Sequence, residues 1–240
     1  MENFANSSEY KEYMKQFEYI FDEKYFKKKI DEIIINQYYK ISINEYNHTY
    51  NVAKNYAKSI SCHEIRLMYN DKEIYINKIV WTVQPFFQYI KHKNENEYFM
   101  CGSNLLFFSV YNITENTEYK YIDEYMVKDD YDGDCNNEFW YITELIYNKN
   151  NNFIAINGQD GTNDPTVTIC DFTEPEKLPY NCVNLSPIIY KEYGKRTCNS
   201  KKWLEDNSLL IVLDEKYSNE IIITENELKN MLKNNKWNGK

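Results

Sequence analysis

Glu138 to Phe172 reads EFWYITELIYNKNNNFIAINGQDGTNDPTVTICDF, and this stretch decides the fold class. Three strands follow one another in it. Trp140, Ile142, Glu144 and Ile146 alternate with Tyr141, Thr143, Leu145 and Tyr147, which assigns two faces to the first strand. Asn148 to Asn152 is a polar turn, Phe153 to Ile156 a second strand, Asn157 to Pro165 a loop, and Val167 to Cys170 a third strand. Apolar runs of period two bounded by Asn, Gly, Asp and Pro clusters signal an antiparallel meander.

The same unit recurs on either side. Glu97 to Gly102 leads to Phe107–Ile113, as Asn152 to Asn157 leads to Thr166–Phe172 and Leu209 to Leu213 leads to Glu220–Thr224. A Thr-Glu pair follows each unit: Thr114-Glu115, Thr173-Glu174 and Thr224-Glu225. Each unit resembles one propeller-blade-like hairpin, but three are fewer than the roughly 4–8 blades of a closed propeller. The expectation is a single α+β domain over residues 1–240, built on an open antiparallel β-meander with such hairpin repeats, N-terminal helices and a C-terminal helix.

Working outward, residues 62–224 carry the meander. Asn70-Asp71 suits a tight hairpin turn between His63–Tyr69 and Lys72–Ile79. Pro85 places Trp81–Ile90 at an edge or in a crossing connection. Residues 1–61 read as mainly helical. Ser7-Ser8 can cap a helix over Glu9–Phe21, a second helix is expected from Asp22 through Phe26, Ile30, Ile33 and Ile34, and a third over Tyr46–Ile60. Only Tyr39–Ile43 reads as strand there. Lys27-Lys28-Lys29 is expected as a solvated face. At the other end, Thr224 and Glu227 form a capping box for a helix over 225–237. The expected core includes Trp140, Ile142, Phe153, Ala155, Ile169 and Leu210.

Composition narrows the function classes. Lys plus Arg is 28 against 37 for Asp plus Glu, a net charge of −9. No overall positive field would hold phosphates, so direct nucleic-acid binding is not expected and a basic protein is the better electrostatic partner. The first 18 residues carry Glu2, Glu9 and Glu12 and no apolar core, and no apolar run reaches membrane-spanning length. A cytoplasmic monomer without membrane contact is expected. Its six scattered cysteines lack any C-x-x-C and are expected as free thiols, with Cys101 and Cys170 as small core residues.

The 24 tyrosines, 12 phenylalanines and 4 tryptophans are ascribed first to an A/T-rich genome; a Tyr-rich contact surface is the sharper reading. The densest carboxylate run is Asp129-Asp130-Tyr131-Asp132-Gly133-Asp134. Aligned as a calcium loop with Gly133 sixth, it puts Lys128 first and Phe139 twelfth, where carboxylates are required, so no metal site is assigned. His48, His63 and His92 are far apart, and no nucleophile motif or phosphate-binding glycine loop is present. No catalytic residue and no cofactor is therefore expected. The candidate contact residues are Tyr125, Asp129, Asp130, Tyr131, Asp132 and Asp134, with Asp160 and Asp164 from the long Gly/Asp loop.

The segments Phe139–Asn148, Asn152–Ile156 and Asp171–Pro175, with Glu97-Tyr98-Phe99 and Ser109-Val110, resemble a widespread group of uncharacterised bacterial proteins. In that group the loop after the second strand is typically a Gly-Cys…Cys-Pro turn. Here it is Asn157-Gly158-Gln159-Asp160-Gly161, with Pro165 remaining. The resemblance implies a β-rich fold with no established activity, and by analogy an immunity-type interaction protein. Together these readings favour a non-catalytic inhibitor of a protein partner, such as a toxin-immunity protein or a phage-encoded, anti-CRISPR-type inhibitor of a host nuclease. A hydrolase with an unrecognised pocket and a structural adaptor are the alternatives.

Overall fold

The computed structural model describes residues 3–53, 56–80, 82, 84–123, 141–159, 164–195, 197–214 and 219–234. Four antiparallel sheets follow one another along the chain, and in each the hydrogen-bonded neighbours are sequence neighbours. The first holds β1 (Phe26–Ile34), β2 (Tyr39–Ala53), β3 (Tyr56–Tyr69) and β4 (Lys72–Ile79). The second holds β5 (Phe86–Lys91), β6 (Glu97–Asn104), β7 (Phe107–Asn112) and β8 (Thr117–Ile122). The third holds β9 (Tyr141–Asn148), β10 (Phe153–Gln159), β11 (Pro165–Asp171) and β12 (Cys182–Asn184); the fourth has only β13 (Asn199–Trp203), β14 (Leu209–Asp214) and β15 (Asn219–Ile223). Helix α1 (Ser8–Phe17) precedes them, α2 (Ser186–Tyr193) links the last two sheets, and α3 (Glu225–Asn234) follows β15.

Alternation along a strand explains how the sheets stack. On β6, Phe99 and Cys101 join a core with Ile41, Ile65 and Leu67 of the first sheet. Their neighbours Tyr98 and Met100 join a second core with Ile142, Ile154 and Phe172 of the third-sheet segment. On β10, Ile154 and Ile156 share that second core, while Phe153 and Ala155 join a third with Leu209, Ile211 and Leu213 of the fourth sheet. The central strands of the two middle sheets, β6, β7, β10 and β11, are thus buried on both faces along most of their length. All of β7 is buried. Among the described residues no helix is long and apolar enough to cross a membrane.

The expected meander units correspond to β6–β7, β10–β11 and β14–β15. The Thr-Glu pair marks where the units diverge. In the second sheet it turns into β8, in the third it starts the connection to β12, and in the fourth it opens α3 where a fourth strand would stand. There the capping box forms as expected: Thr224 N and Oγ1 donate to Glu227 Oε2, and Glu227 N donates to Thr224 Oγ1. These bonds hold the Glu227 carboxyl below its ordinary range. Asn70 and Asp71 both take positive φ, 47° and 64°, forming the tight turn into β4. Pro85 directly precedes the edge strand β5.

Several expectations are corrected. The second helix is strand β1. Its register on β2 shifts between Phe26 and Lys28 and again between Lys29 and Asp31. Each bulge adds a residue and resets the alternation, so apolar residues of a strand fall at helix-like spacing. The third helix is the β2–β3 ladder, which runs from Tyr39–Tyr69 to Ala53–Tyr56 with one register shift, between Asn51 and Ala53. The boundary placed at residue 61 therefore falls inside β3. Helix α1 stops at Phe17, Ser7 caps it through Tyr10 N, and a 3-10 turn continues over Glu18–Phe21.

A bulge also changes the faces of β9. Asn157 pairs with Glu144 but Gly158 with Ile142, so Thr143 is extra. Ile142 and Leu145 consequently share the face toward the second sheet. Leu210 is only partly buried, with Leu209, Ile211 and Leu213 turned inward instead. Trp140 lies outside the described residues.

The cysteines depart from expectation as well. β11–β12 register sets Cys170 directly opposite Cys182, and the two form a disulfide with Cα atoms 4.1 Å apart. Cys62, Cys101 and Cys198 are buried free thiols. Burial pushes the Cys101 thiol up to about 12.

Candidate binding clefts

Cross-links between turns define one end of the stack. Tyr39 of the first sheet donates to Glu97 of the second (2.8 Å). Lys93 Nζ donates to Asn150 O (3.1 Å), and Asn148 Nδ2 to Asn207 Oδ1 (3.3 Å), joining the second, third and fourth sheets. At this end, between the first two sheets, opens a cleft of about 430 Å³ lined by Tyr39, Tyr69, Ile74, Tyr111, Ile113 and Asn116.

Short polar turns place these side chains. Asn36 Oδ1 accepts from the N–H groups of Tyr38 (2.8 Å) and Tyr39 (2.9 Å), closing the β1–β2 turn just before Tyr39 enters its strand. Register then sets Tyr39 opposite Tyr69. Their ring centroids are 5.1 Å apart; Tyr89 lies 5.4 Å from Tyr39, and Tyr38 lies 6.1 Å from Tyr69. Below them Tyr75 stacks on Tyr111 at 4.4 Å. Tyr69 is 40% exposed and Tyr38 49%, so the cluster reaches the surface.

Glu97 organises the polar side of the cluster. Its Oε2 accepts from Tyr39 and its Oε1 from Tyr89 (2.7 Å). Burial, then the bond to Glu97, raises both phenols above their ordinary range, so they remain protonated donors. Tyr111 donates to Asn116 Oδ1 (2.6 Å), and burial raises its phenol too.

A second cleft, of about 410 Å³, lies between the third and fourth sheets and includes Glu144, Asn157, Ser200 and Lys201. Its central polar groups are engaged with one another. Asn157 Nδ2 donates to Glu144 Oε2 and to Ser200 O, both at 2.9 Å. Asn157 Oδ1 accepts from Ser200 N (2.8 Å) and Ser200 Oγ (2.7 Å). With both donors and both lone pairs used, Asn157 is a clasp between sheets. Asn157→Ala is expected to destabilise the chain by about 2 kcal/mol, because Ser200 backbone groups are left buried without partners; chemical denaturation measures this.

The histidines are structural. His92 Nδ1 accepts from Asn94 N (3.2 Å), so Nε2 donates to Phe172 O (3.0 Å) and ties the second sheet to the third. His63 is buried, and that burial lowers its pKa. His48 sits 4.7 Å from Tyr25 and 5.5 Å from Tyr19, ring to ring. Among the described residues no group of three or more His, Cys, Asp or Glu gathers to hold a metal ion.

Of the contact residues expected from sequence, Tyr125, Asp129, Asp130, Tyr131, Asp132, Asp134 and Asp160 lie outside the described residues. Asp164, just before β11, is partly exposed. The strand termini flanking the two loops, Ile122, Tyr141, Gln159 and Pro165, fall at the end of the stack away from the tyrosine cleft. Sequence reasoning missed the cleft itself. Its signal was the placement of Tyr38-Tyr39, Tyr69 and Tyr111 beside turn residues at strand ends. Comparison of the chain with protein-family models, with curated proteins and with solved structures returns no match.

Proposed function

We propose that this chain is a non-catalytic protein-binding protein that neutralises a protein partner, and that the tyrosine cleft carries the central contact. The observation behind this reading is the exposure of Tyr38 and Tyr69 at the mouth of a preformed aromatic cleft. Tyrosine brings large, rigid contact area with few rotatable bonds, and such side chains dominate binding energy at interfaces. The net charge of −9 favours a basic partner, with Asp129, Asp130, Asp132 and Asp134 adding to the long-range field that speeds encounter. A toxin-immunity protein and an inhibitor of a host nuclease both act in this way. The working compartment in this reading is the cytoplasm; the Cys170–Cys182 bond weighs against it.

The test compares wild type with a Tyr38→Ala/Tyr69→Ala variant. Partners captured by wild type are identified by mass spectrometry, prepared pure and titrated against both forms. The double variant is expected to bind at least about 30-fold more weakly, about 2 kcal/mol, with an unchanged circular dichroism spectrum. A partner held equally by both forms overturns the assignment of the contact to this cleft.

A further inference from the structure

Resting on that protein-binding reading, we infer that the tyrosine cleft is a receptor for one basic side chain of the partner, an arginine. Three observations converge. The first is the donor inventory. The Tyr39 hydroxyl proton is committed to Glu97 and that of Tyr111 to Asn116, so these two of the three tyrosine hydroxyls lining the cleft have only acceptor capacity left for a ligand. An occupant that meets those two oxygens must bring donors, and a guanidinium brings five with no acceptor.

The second is the pair of rings. Tyr39 and Tyr69 pack on each other at 5.1 Å with an interplanar angle of 46°, both line the cleft, and Tyr69 is 40% exposed, so it offers an occupant ring surface whose π-system is negative over its face. A planar delocalised cation is the group such faces attract most readily, and it sheds water more easily than an ammonium.

The third is uncompensated charge. Glu97 is half-buried behind Tyr39, and its two oxygens accept only neutral phenol protons. Among the described residues no lysine or arginine lies within ion-pair distance of Glu97, nor of the exposed Glu115 in the turn beside Ile113 and Asn116. Of the lysines near this end, Lys40 on β2 is already held by Asp71, and Lys91, opposite Glu97 in the β5–β6 register, forms no ion pair with it. A side chain that enters the cleft, stacks on the exposed Tyr69 ring and places its charge near Glu97 supplies the missing cation.

The probe is a fluorescein-labelled octapeptide of alternating Gly and Arg, read by anisotropy, against the same peptide with citrulline for Arg. Citrulline keeps the shape and most donors but removes the charge. The Arg peptide is expected to bind about fivefold tighter or more. Glu97→Gln and Tyr69→Ala should each weaken it about fivefold, whereas Glu192→Gln, which removes one charge from exposed α2, should leave it unchanged. Equal weakening by all three variants would mean diffuse attraction to an acidic protein and overturns the inference. So does equal affinity for the citrulline peptide, or no binding up to about 1 mM. If partner binding still depends on Tyr38 and Tyr69 while the peptide criteria fail, the arginine inference alone falls. If neither depends on the tyrosines, the protein-binding site assignment falls with it.

Discussion

Phe153→Ala is expected to cost about 3–5 kcal/mol of folding stability, while Leu210→Ala costs about 1 kcal/mol. Both are large apolar residues on central strands of neighbouring sheets, β10 and β14. What separates them is the side of the sheet. Phe153 is 5% exposed and packs in the core between the third and fourth sheets, 6.5 Å ring to ring from Trp203. That site is bounded by two sheets, so neighbours can collapse only partly into the space left by the ring, and a cavity term adds to the lost transfer energy. Leu210 pairs with Lys202 and Ile222, and Ile222 is 56% exposed. Removing the leucine there mainly exchanges partly wetted surface for fully wetted surface. For a chain of this size each kcal/mol moves the melting temperature by about 2–4 °C, so the first variant should melt roughly 10 °C lower and the second only a few degrees lower. Equal losses would put Leu210 in the core and reverse the faces of the fourth sheet.

The same contrast shows what sequence carries and what it does not. β6, β10 and β11 were legible as apolar runs bounded by polar turns, and the Asn70-Asp71 turn and the Thr224/Glu227 cap were legible because their chemistry is local. Continuous burial in the middle sheets was not legible as such. A run like Phe107 to Asn112 looks the same whether one face or both are covered. Bulges did the most damage. The two shifts in β1 gave Phe26, Ile30 and Ile33 a helical spacing, and Thr143 reversed half of β9. Over Tyr46–Ile60 the alanines and lysines favoured helix, yet long-range pairing with the rest of the hairpin prevails over such weak local preferences. The candidate site suffered from a different bias. Charge is dense in the acidic loops along the sequence, whereas the tyrosine cleft is assembled from residues as distant as Tyr39 and Asn116. Only the stacking of the first two sheets brings those together.

Removing the Cys170–Cys182 cross-link is expected to destabilise the chain by about 3 kcal/mol, the entropy of leaving open a loop with a sequence separation of 12. The reason for expecting a local as well as a global effect lies in β12. This strand has three residues, Cys182–Asn184, and pairs only with β11 at the edge of its sheet. Val183 and the following Leu185 nevertheless belong to the core shared with α2, α3 and the fourth sheet. The bond therefore anchors a short edge whose loss would loosen the attachment of the last sheet. In the unfolded, never-reduced protein, at most four thiols should titrate: Cys62, Cys101 and Cys198, with Cys135 outside the described residues. Reductant should lower the melting temperature of wild type by roughly 6–12 °C and leave a Cys170→Ala/Cys182→Ala variant unmoved. Six titrating thiols in protein taken directly from its own cells would instead show a reduced chain, as in a cytoplasm where glutathione and thioredoxin keep thiols open. That single count decides two matters together, because the compartment that sustains the bond is also the one in which the partner must be sought.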